Sequence, residues 1–144
     1  MSAWRGLIET TQLLFTQLER ELTREHGLSM ADYEILVRLS EAPHRAMRMT
    51  ELAHTTLASK SRLSHQVSRM EERGLVVREV CPTDRRGASG VLTDAGFALL
   101  EQAAPTHVRG VREHLLDQLT AKDIAALSSL TDRANTHLGA AVRP

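Results

Sequence analysis

The stretch that decides the fold is Met49–Gly96, which reads MTELAHTTLASKSRLSHQVSRMEERGLVVREVCPTDRRGASGVLTDAG. Its first part predicts a short helix over Glu51–Thr56, which Thr50 can cap, and then a helix of about 13 residues that ends at Gly74. The second helix carries one narrow apolar stripe at i, i+4 and i+7 and is polar elsewhere. The stripe consists of Leu63, Val67 and Met70.

The pattern changes to that of strands after Gly74. Leu75–Val80 is rich in β-branched residues, Pro82–Gly87 contains turn-forming residues, and Ala88–Leu92 can return as a second strand. Two short helices followed by two strands and a basic loop are the elements of a winged helix-turn-helix, in which the hairpin is the wing.

Amphipathic helices are predicted before this module. Ala3–His26 repeats apolar residues at three- and four-residue steps, and Gly27 ends it. Ser29 and Asp32 form a capping-box pattern at the start of the next helix, which ends before Pro43. The repeating positions of the first helix are Trp4, Leu7, Ile8, Thr11, Leu14, Phe15, Leu18 and Leu22.

Two more helices are predicted after the module. One runs from Thr93 or Asp94 to about Leu119, with a kink or local break at Pro105. Thr120–Asp123 is a second capping box and opens a last helix with one apolar side. That side consists of Ile124, Leu127, Leu130, Ala134 and Leu138. Because one chain cannot easily cover this stripe and that of the first helix, we expect burial against a second copy of the chain.

The sequence therefore predicts one domain over residues 1–144, mainly α-helical with a small β-hairpin wing. Dimerisation helices at about 3–26 and 94–141 flank a winged helix-turn-helix at about 29–93. The chain is 42% hydrophobic and 25% charged, which is typical of globular proteins. We find no apolar run that would suggest a secretory signal or a membrane span. The single cysteine, Cys81, excludes an intrachain disulfide and favours a cytoplasmic location.

Charge is distributed unevenly along a chain whose net charge is zero. Residues 42–93 contain nine Lys and Arg against five Asp and Glu, which gives +4, and the remainder contains nine against thirteen, which gives −4. A basic middle between acidic ends predicts that the middle meets phosphates.

The polar face of the second helix of the module offers hydroxyls and cations to duplex DNA. Hydroxyls and Lys60 suit phosphate contacts, whereas the longer side chains of Arg62, His65 and Arg69 can reach guanine acceptors in the major groove. The alternative is an ordinary solvated helix face. The full predicted set on this helix is Ser59, Lys60, Ser61, Arg62, Ser64, His65, Ser68 and Arg69.

Four segments in register resemble the MarR family of transcriptional regulators. MTELAHTT is similar to the first helix of that family's helix-turn-helix, SKSRLSHQVSRMEERGLVVRE to its recognition helix and first wing strand, CPTDRRG to its wing tip, and VLTDAG to its return strand and next helix start. The resemblance implies a homodimer whose terminal helices intertwine. It also implies that two winged modules bind a palindromic site and repress a promoter until a ligand changes the geometry of the dimer.

The resemblance also assigns the wing and a ligand site. It implies that Arg85 and Arg86 enter the minor groove, with Asp84 as a brace that orients an arginine; the alternative is an ordinary polar hairpin tip. Members often bind small aromatic or amphipathic molecules between the dimerisation helices and the winged module. The aromatic residues of the segments that would border such a cleft are Trp4, Phe15, Tyr33 and Phe97, although rings at helical spacing usually fill a core.

Other chemistry has less support. Some relatives sense oxidants through cysteine, but Cys81 lies at the wing and a passive role is favoured. His107 and His114 are a poor chelating pair at two helical turns apart, so we predict no metal and no other cofactor. No catalytic motif is found, and an enzyme is not expected. The second function considered is a winged helix that serves as a protein-interaction module.

Overall fold

The computed structural model describes residues 1–81 and 84–142, and the side chains of residues 81, 84–86 and 140–142 lie outside the description. The main elements follow the predicted order, with one additional strand. The α-helices are α1 (Ser2–His26), α2 (Met30–Glu41), α3 (Met49–Thr55), α4 (Lys60–Glu72), α5 (Asp94–His114) and α6 (Ala121–Val142). The strands are β1 (Ala46–Arg48), β2 (Val76–Cys81) and β3 (Asp84–Leu92).

A three-stranded antiparallel sheet in the order β1-β3-β2 completes the winged module. The hairpin of β2 and β3 confirms the predicted wing. Strand β1 was not predicted, because three residues are too short to show an alternating pattern, and it exists by pairing with β3 from Ala46↔Val91 to Arg48↔Ser89. Helix α3 begins at Met49 directly after β1 and has no side-chain cap, so the predicted cap by Thr50 is wrong.

The wing hairpin is longer than the sequence suggested. Strand β3 begins at Asp84, whereas we predicted a turn up to Gly87 and a return strand from Ala88. The register steps from Val80↔Ala88 to Cys81↔Asp84, so β2 advances one residue while β3 advances four. Three residues of β3, 85–87, therefore stand out of the ladder at this irregularity. Of the predicted turn residues, Pro82 and Thr83 lie outside the described residues.

The hydrophobic core lies where α2 packs against the helix-turn-helix. The predicted stripe of α4 is confirmed, since Leu63, Val67 and Met70 are at most 2% exposed. Helices α1 and α2 and the sheet supply the rest. Those core residues include Leu22, Leu28, Ile35, Leu36, Leu39, Leu52, Leu75, Val76 and Leu92.

Thr93 fastens α5 to the residues that follow the end of α4. Its hydroxyl oxygen accepts a hydrogen bond from the Gly96 amide at 3.0 Å and lies 2.7 Å from the Gly74 carbonyl, to which it donates. The Thr93 amide donates to the Leu75 carbonyl at 3.1 Å. At Gly96 the backbone approaches so closely that a Cβ added there would lie 2.1 Å from the Leu75 carbonyl oxygen. This junction sets where α5 leaves the wing.

Helix α5 continues through Pro105, so the predicted local break at that residue is wrong. The next residue, Thr106, is buried, donates to Glu25 at 2.9 Å and lies 2.8 Å from the His26 Nε2. Arg109 adds an ion pair with Glu25 at 3.1 Å. These contacts with α1 hold the helix where proline removes one backbone donor.

The helix does break beyond that point. It ends at His114, and Leu115 leaves helical geometry with φ −135° and ψ −66° before a single turn of 3-10 helix at Leu116–Gln118. Thr120 and Asp123 then form the predicted capping box of α6, with the Asp123 amide donating to the Thr120 hydroxyl at 3.2 Å and the Thr120 amide to the Asp123 carboxylate at 3.0 Å.

The outer half of α1 and most of α6 stay outside the core. In α1 the predicted stripe is buried at Leu18 and Leu22, whereas Trp4 is 61% exposed and Phe15 51% exposed. The apolar side of α6 is uncovered too, and Leu130 is 55% exposed. Two apolar helix faces are thus left without cover by the described part of their own chain. None of the described helices combines the length and apolarity needed to cross a membrane.

Gly96→Ala should destabilise the fold, because the added methyl group would overlap the Leu75 carbonyl, a backbone atom that cannot move away freely. We expect a loss of about 1–3 kcal/mol in the free energy of unfolding, measured by chemical denaturation. Ala98→Ser adds one atom on the exposed side of the same helix and serves as the matched control. Equal stability of the Gly96 and Ala98 variants would contradict the close packing of α5 on the wing.

Candidate nucleic-acid interface

The face of α4 opposite its apolar stripe is exposed and basic. Ser59 caps the helix, accepting a hydrogen bond from the Arg62 amide at 3.2 Å. No acidic residue occurs on α4 before Glu71. Of the predicted DNA contacts on α4, Ser68 is half-buried and the exposed ones are Lys60, Ser61, Arg62, Ser64, His65 and Arg69. The structure therefore brings the predicted residues of this helix together on one surface.

Two of the predicted hydroxyls, those of Ser64 and Ser68, have a partner in the wing. Arg78 of β2 reaches across to α4, where its guanidinium donates to the Ser64 carbonyl at 2.6 Å and to the Ser68 hydroxyl at 3.1 Å. It also lies 3.2 Å from the Ser64 hydroxyl and forms an ion pair with Glu71 at 2.5 Å. Charge-assisted bonds of this kind are the stronger ones. Ser64 and Ser68 thus help to fix the wing on the recognition helix.

Sequence reasoning missed Arg78, although it lies in the quoted stretch. The sequence pattern places this residue in a strand, and its partners are 7 to 14 residues away in the chain. The available signal was that Arg78 and Glu71 carry opposite charges on adjacent predicted elements. That pattern is too common to identify a contact.

A basic cleft lies between the start of α3, α4 and the wing. It measures about 360 Å³, and its lining includes the cations of Arg48, Lys60 and Arg78, with Gly87 and Ala88 from the wing. No carboxylate contributes to the described lining. Cations at a concave surface attract anions, so the described lining suits a phosphate of a nucleic acid backbone.

The wing-tip predictions stay untested. The side chains of Asp84, Arg85 and Arg86 lie outside the described residues, and so does that of Cys81. The backbone places residues 85 and 86 in the part of β3 that leaves the ladder. The minor-groove contacts and the brace remain predictions.

The four aromatic residues that the resemblance assigned to an effector cleft do not lie together in the described part of one chain. Tyr33 is buried and stacks on His107 with ring centroids 4.5 Å apart, and Phe97 packs beneath Arg45 with the guanidinium carbon 3.8 Å from the ring centroid. Trp4 lies on the exposed outer half of α1. Burial raises the pKa of Tyr33 and lowers that of His107. The physical reason is that α2 and α5 pair directly, which leaves Tyr33 inside the core.

Phe15 alone of the four lines a separate cleft between α1, α2 and the helix-turn-helix. The cleft measures about 180 Å³, and its lining combines apolar side chains of α2, such as Met30 and Ile35, with polar ones, among them Glu34. Recognition helix α4 contributes Arg62 and Gln66 to it. It therefore touches the basic helix from behind the exposed face.

His107 and His114 have separate partners. Burial by itself raises the pKa of Glu21, but hydrogen bonds from His114 and Gln17 outweigh it, and the net pKa is lowered. The His114–Glu21 contact is 2.6 Å long. Within the described residues, no three potential metal ligands lie close enough to hold an ion. This arrangement does not test the prediction that these two histidines bind no metal.

Comparison with known proteins gives one consistent relationship. The MarR family model matches residues 26–87. The chain is similar to AbsC, a MarR family transcriptional regulator from Streptomyces coelicolor, with 47% identity, coverage of 96% of this chain and 93% of that one, and a TM-score of 0.90. A second MarR family regulator from that organism, solved in complex with DNA, gives 42% identity, 94% and 88% coverage, and a TM-score of 0.90.

A curated relative extends the comparison to another organism. The transcriptional regulator PecS of Dickeya dadantii is 27% identical over 135 residues, which cover 92% of this chain and 80% of PecS.

Proposed function

The chain belongs to the MarR family of transcriptional regulators, which are not enzymes, and on that premise we propose that it binds duplex DNA as a homodimer and represses a promoter. The observation that carries the proposal is the exposed face of α4, which holds three cations and no acid before Glu71. Arg78 fixes the wing to this helix, so both elements can reach one duplex together. The similar Streptomyces regulator solved with DNA supports this assignment.

The uncovered helix faces support the homodimer. Leaving the stripe of α6 and the outer half of α1 in water costs hydrophobic free energy, and a twin chain can cover both by twofold symmetry. Such a dimer would present two copies of α4 to successive major grooves, roughly 34 Å apart, as a palindromic site requires. The protein-interaction alternative requires neither palindrome nor base contacts.

The cleft beside Phe15 supports regulation by a small ligand. Its lining combines seven apolar residues with four polar ones. Small-molecule sites are usually built from apolar surface with a small number of polar groups that orient the ligand. Because Arg62 and Gln66 line it, a ligand there would touch the recognition helix directly. We propose that a small aromatic acid binds the DNA-incompetent geometry more tightly and so releases the promoter.

Base reading can be tested with Arg62→Ala on a duplex that wild-type protein selects from a random library. We expect a loss of about 1–3 kcal/mol on that duplex and little change on a scrambled one, measured by fluorescence anisotropy. Lys60→Ala is the matched control from the same face. As a phosphate contact it should weaken both duplexes alike and lower the salt slope by about 1. Equal loss on both duplexes for Arg62→Ala would make Arg62 a phosphate contact, and failure of wild-type protein to enrich any sequence would contradict the proposed function.

The dimer interface can be tested by placing charges on the apolar side of α6. Leu127→Asp with Leu130→Asp should give folded monomers in multi-angle light scattering, because an unpaired carboxylate is costly in an apolar interface. Ser129→Asp adds the same charge to the other side of the helix and should leave a dimer. A dimeric double variant, or a monomeric wild-type chain at micromolar concentration, would exclude this interface.

Ligand control can be tested with salicylate, a simple phenolic acid, at millimolar concentration. A tenfold preference for the DNA-incompetent form corresponds to about 1.4 kcal/mol and should raise the Kd for the selected duplex about tenfold. Phe15→Ala, which removes a wall of the cleft, should reduce this effect. Leu13→Ala removes an exposed side chain from the same helix, away from the cleft, and should not. An unchanged Kd in wild-type protein would oppose control by this class of ligand.

A further inference from the structure

We propose that Asp32 and Gln66 are positioning residues for Arg69, which they hold ready to read a base through a hydrogen-bond relay from α2 to α4. The inference rests on the proposed function, because it concerns how one arginine of the DNA-binding face is aimed. Neither Asp32 nor Gln66 is exposed enough to meet DNA itself, at 8% and 9% exposure.

The relay consists of two consecutive contacts. The Gln66 side-chain amide donates through Nε2 to the Asp32 Oδ1, and the Gln66 Oε1 accepts from the Arg69 guanidinium. The second oxygen of Asp32 accepts from the Ser29 amide at 3.2 Å and from Arg73 at 3.5 Å. The carboxylate is therefore held at the N-terminus of α2 while it contacts α4.

The chemistry of the three groups fixes the direction of the relay. An ionised carboxylate only accepts hydrogen bonds and a guanidinium only donates them, whereas an amide has one end of each kind. Asp32 therefore turns the nitrogen of Gln66 towards itself, which leaves the oxygen facing Arg69. The reversed amide would place an acceptor against Asp32 and a donor against Arg69, and buried mismatches of that kind are costly.

Arg69 benefits because its side chain is long and exposed. A free arginine must lose rotamer freedom when it binds DNA, and a contact made beforehand reduces that cost. One donor is used on Gln66, and the guanidinium has four further N–H groups for a guanine edge. Arg62, two turns earlier on the same helix, has no side-chain hydrogen bond or ion pair among the described residues. Arg62 is therefore an internal control.

Asp32→Asn is nearly isosteric and tests the relay. The Asn oxygen can still accept from the Ser29 amide, but its nitrogen then faces Gln66, whose amide turns over and presents a donor to Arg69. On the duplex selected by wild-type protein we expect about tenfold weaker binding, with less than about twofold change on a scrambled duplex. In a double variant with Arg69→Ala, Asp32→Asn should cause no further loss of affinity for the selected duplex. In a double variant with Arg62→Ala, the fold-losses in affinity of the two single variants should multiply.

Gln66→Met provides a second variant that keeps the α2 cap intact. It removes both polar ends of the amide at similar size, and it should show the same tenfold loss and the same lack of addition to Arg69→Ala. A role confined to stability would weaken both duplexes and would multiply with either arginine variant. That pattern, or full discrimination by Asp32→Asn or Gln66→Met, would overturn the relay. Absence of a preferred duplex for wild-type protein would instead overturn the proposed function.

Discussion

The arrangement depends on the burial of one narrow stripe of α4. Leu63, Val67 and Met70 enter the core with at most 2% exposure, and each contributes roughly 1.5–3 kcal/mol by leaving water. These three positions over two turns anchor the helix, and much of its remaining surface is exposed. Because only one narrow stripe has to be apolar, an otherwise polar segment can form this helix and expose its cations to solvent. A wider apolar stripe would have buried part of the basic face that is now exposed.

Burial of the apolar stripe fixes the axis of α4 but does not fix the polar side chains on its other faces. Two further sets of contacts restrict those side chains. Arg78 of the wing forms hydrogen bonds with Ser64 and Ser68 on one side of α4. On the side of α4 that packs against α2, Gln66 forms a hydrogen bond with Asp32 of α2. Both use charged or buried groups, for which broken hydrogen bonds cost most. The recognition surface is thus held from two sides before DNA arrives.

The fold could be predicted from the sequence where local patterns decide it. The α4 stripe, the β-branched run of β2 and the capping boxes at Ser29 and Thr120 act over a few residues, and the structure confirms them. Contacts between distant residues could not be predicted. Strand β1 forms because β3 passes beside it, and α5 stays continuous at Pro105 because α1 supplies partners for Thr106.

The site shows the same division. The cationic face of α4 could be predicted, since helical spacing alone places those residues together. Asp32 was correctly predicted as a capping residue, but its contact with Gln66 spans 34 positions and leaves no trace in the sequence pattern. The four aromatic residues, which the resemblance assigned to one effector cleft, lie apart in the single chain for a related reason: helical periodicity shows which residues share a face, but not what covers that face.

The contacts that cover a residue also determine whether a ligand can reach it. Tyr33 and Phe97 are packed against His107 and Arg45 of their own chain, so a ligand could reach them only by displacing those contacts. Phe15 and Gln66, in contrast, line one open cleft, and Gln66 is also the amide that holds Arg69. Under the proposed ligand control, a molecule in this cleft would lie against the amide that contacts Arg69. A ligand that hydrogen-bonds to this amide would compete with Arg69 for its single acceptor end.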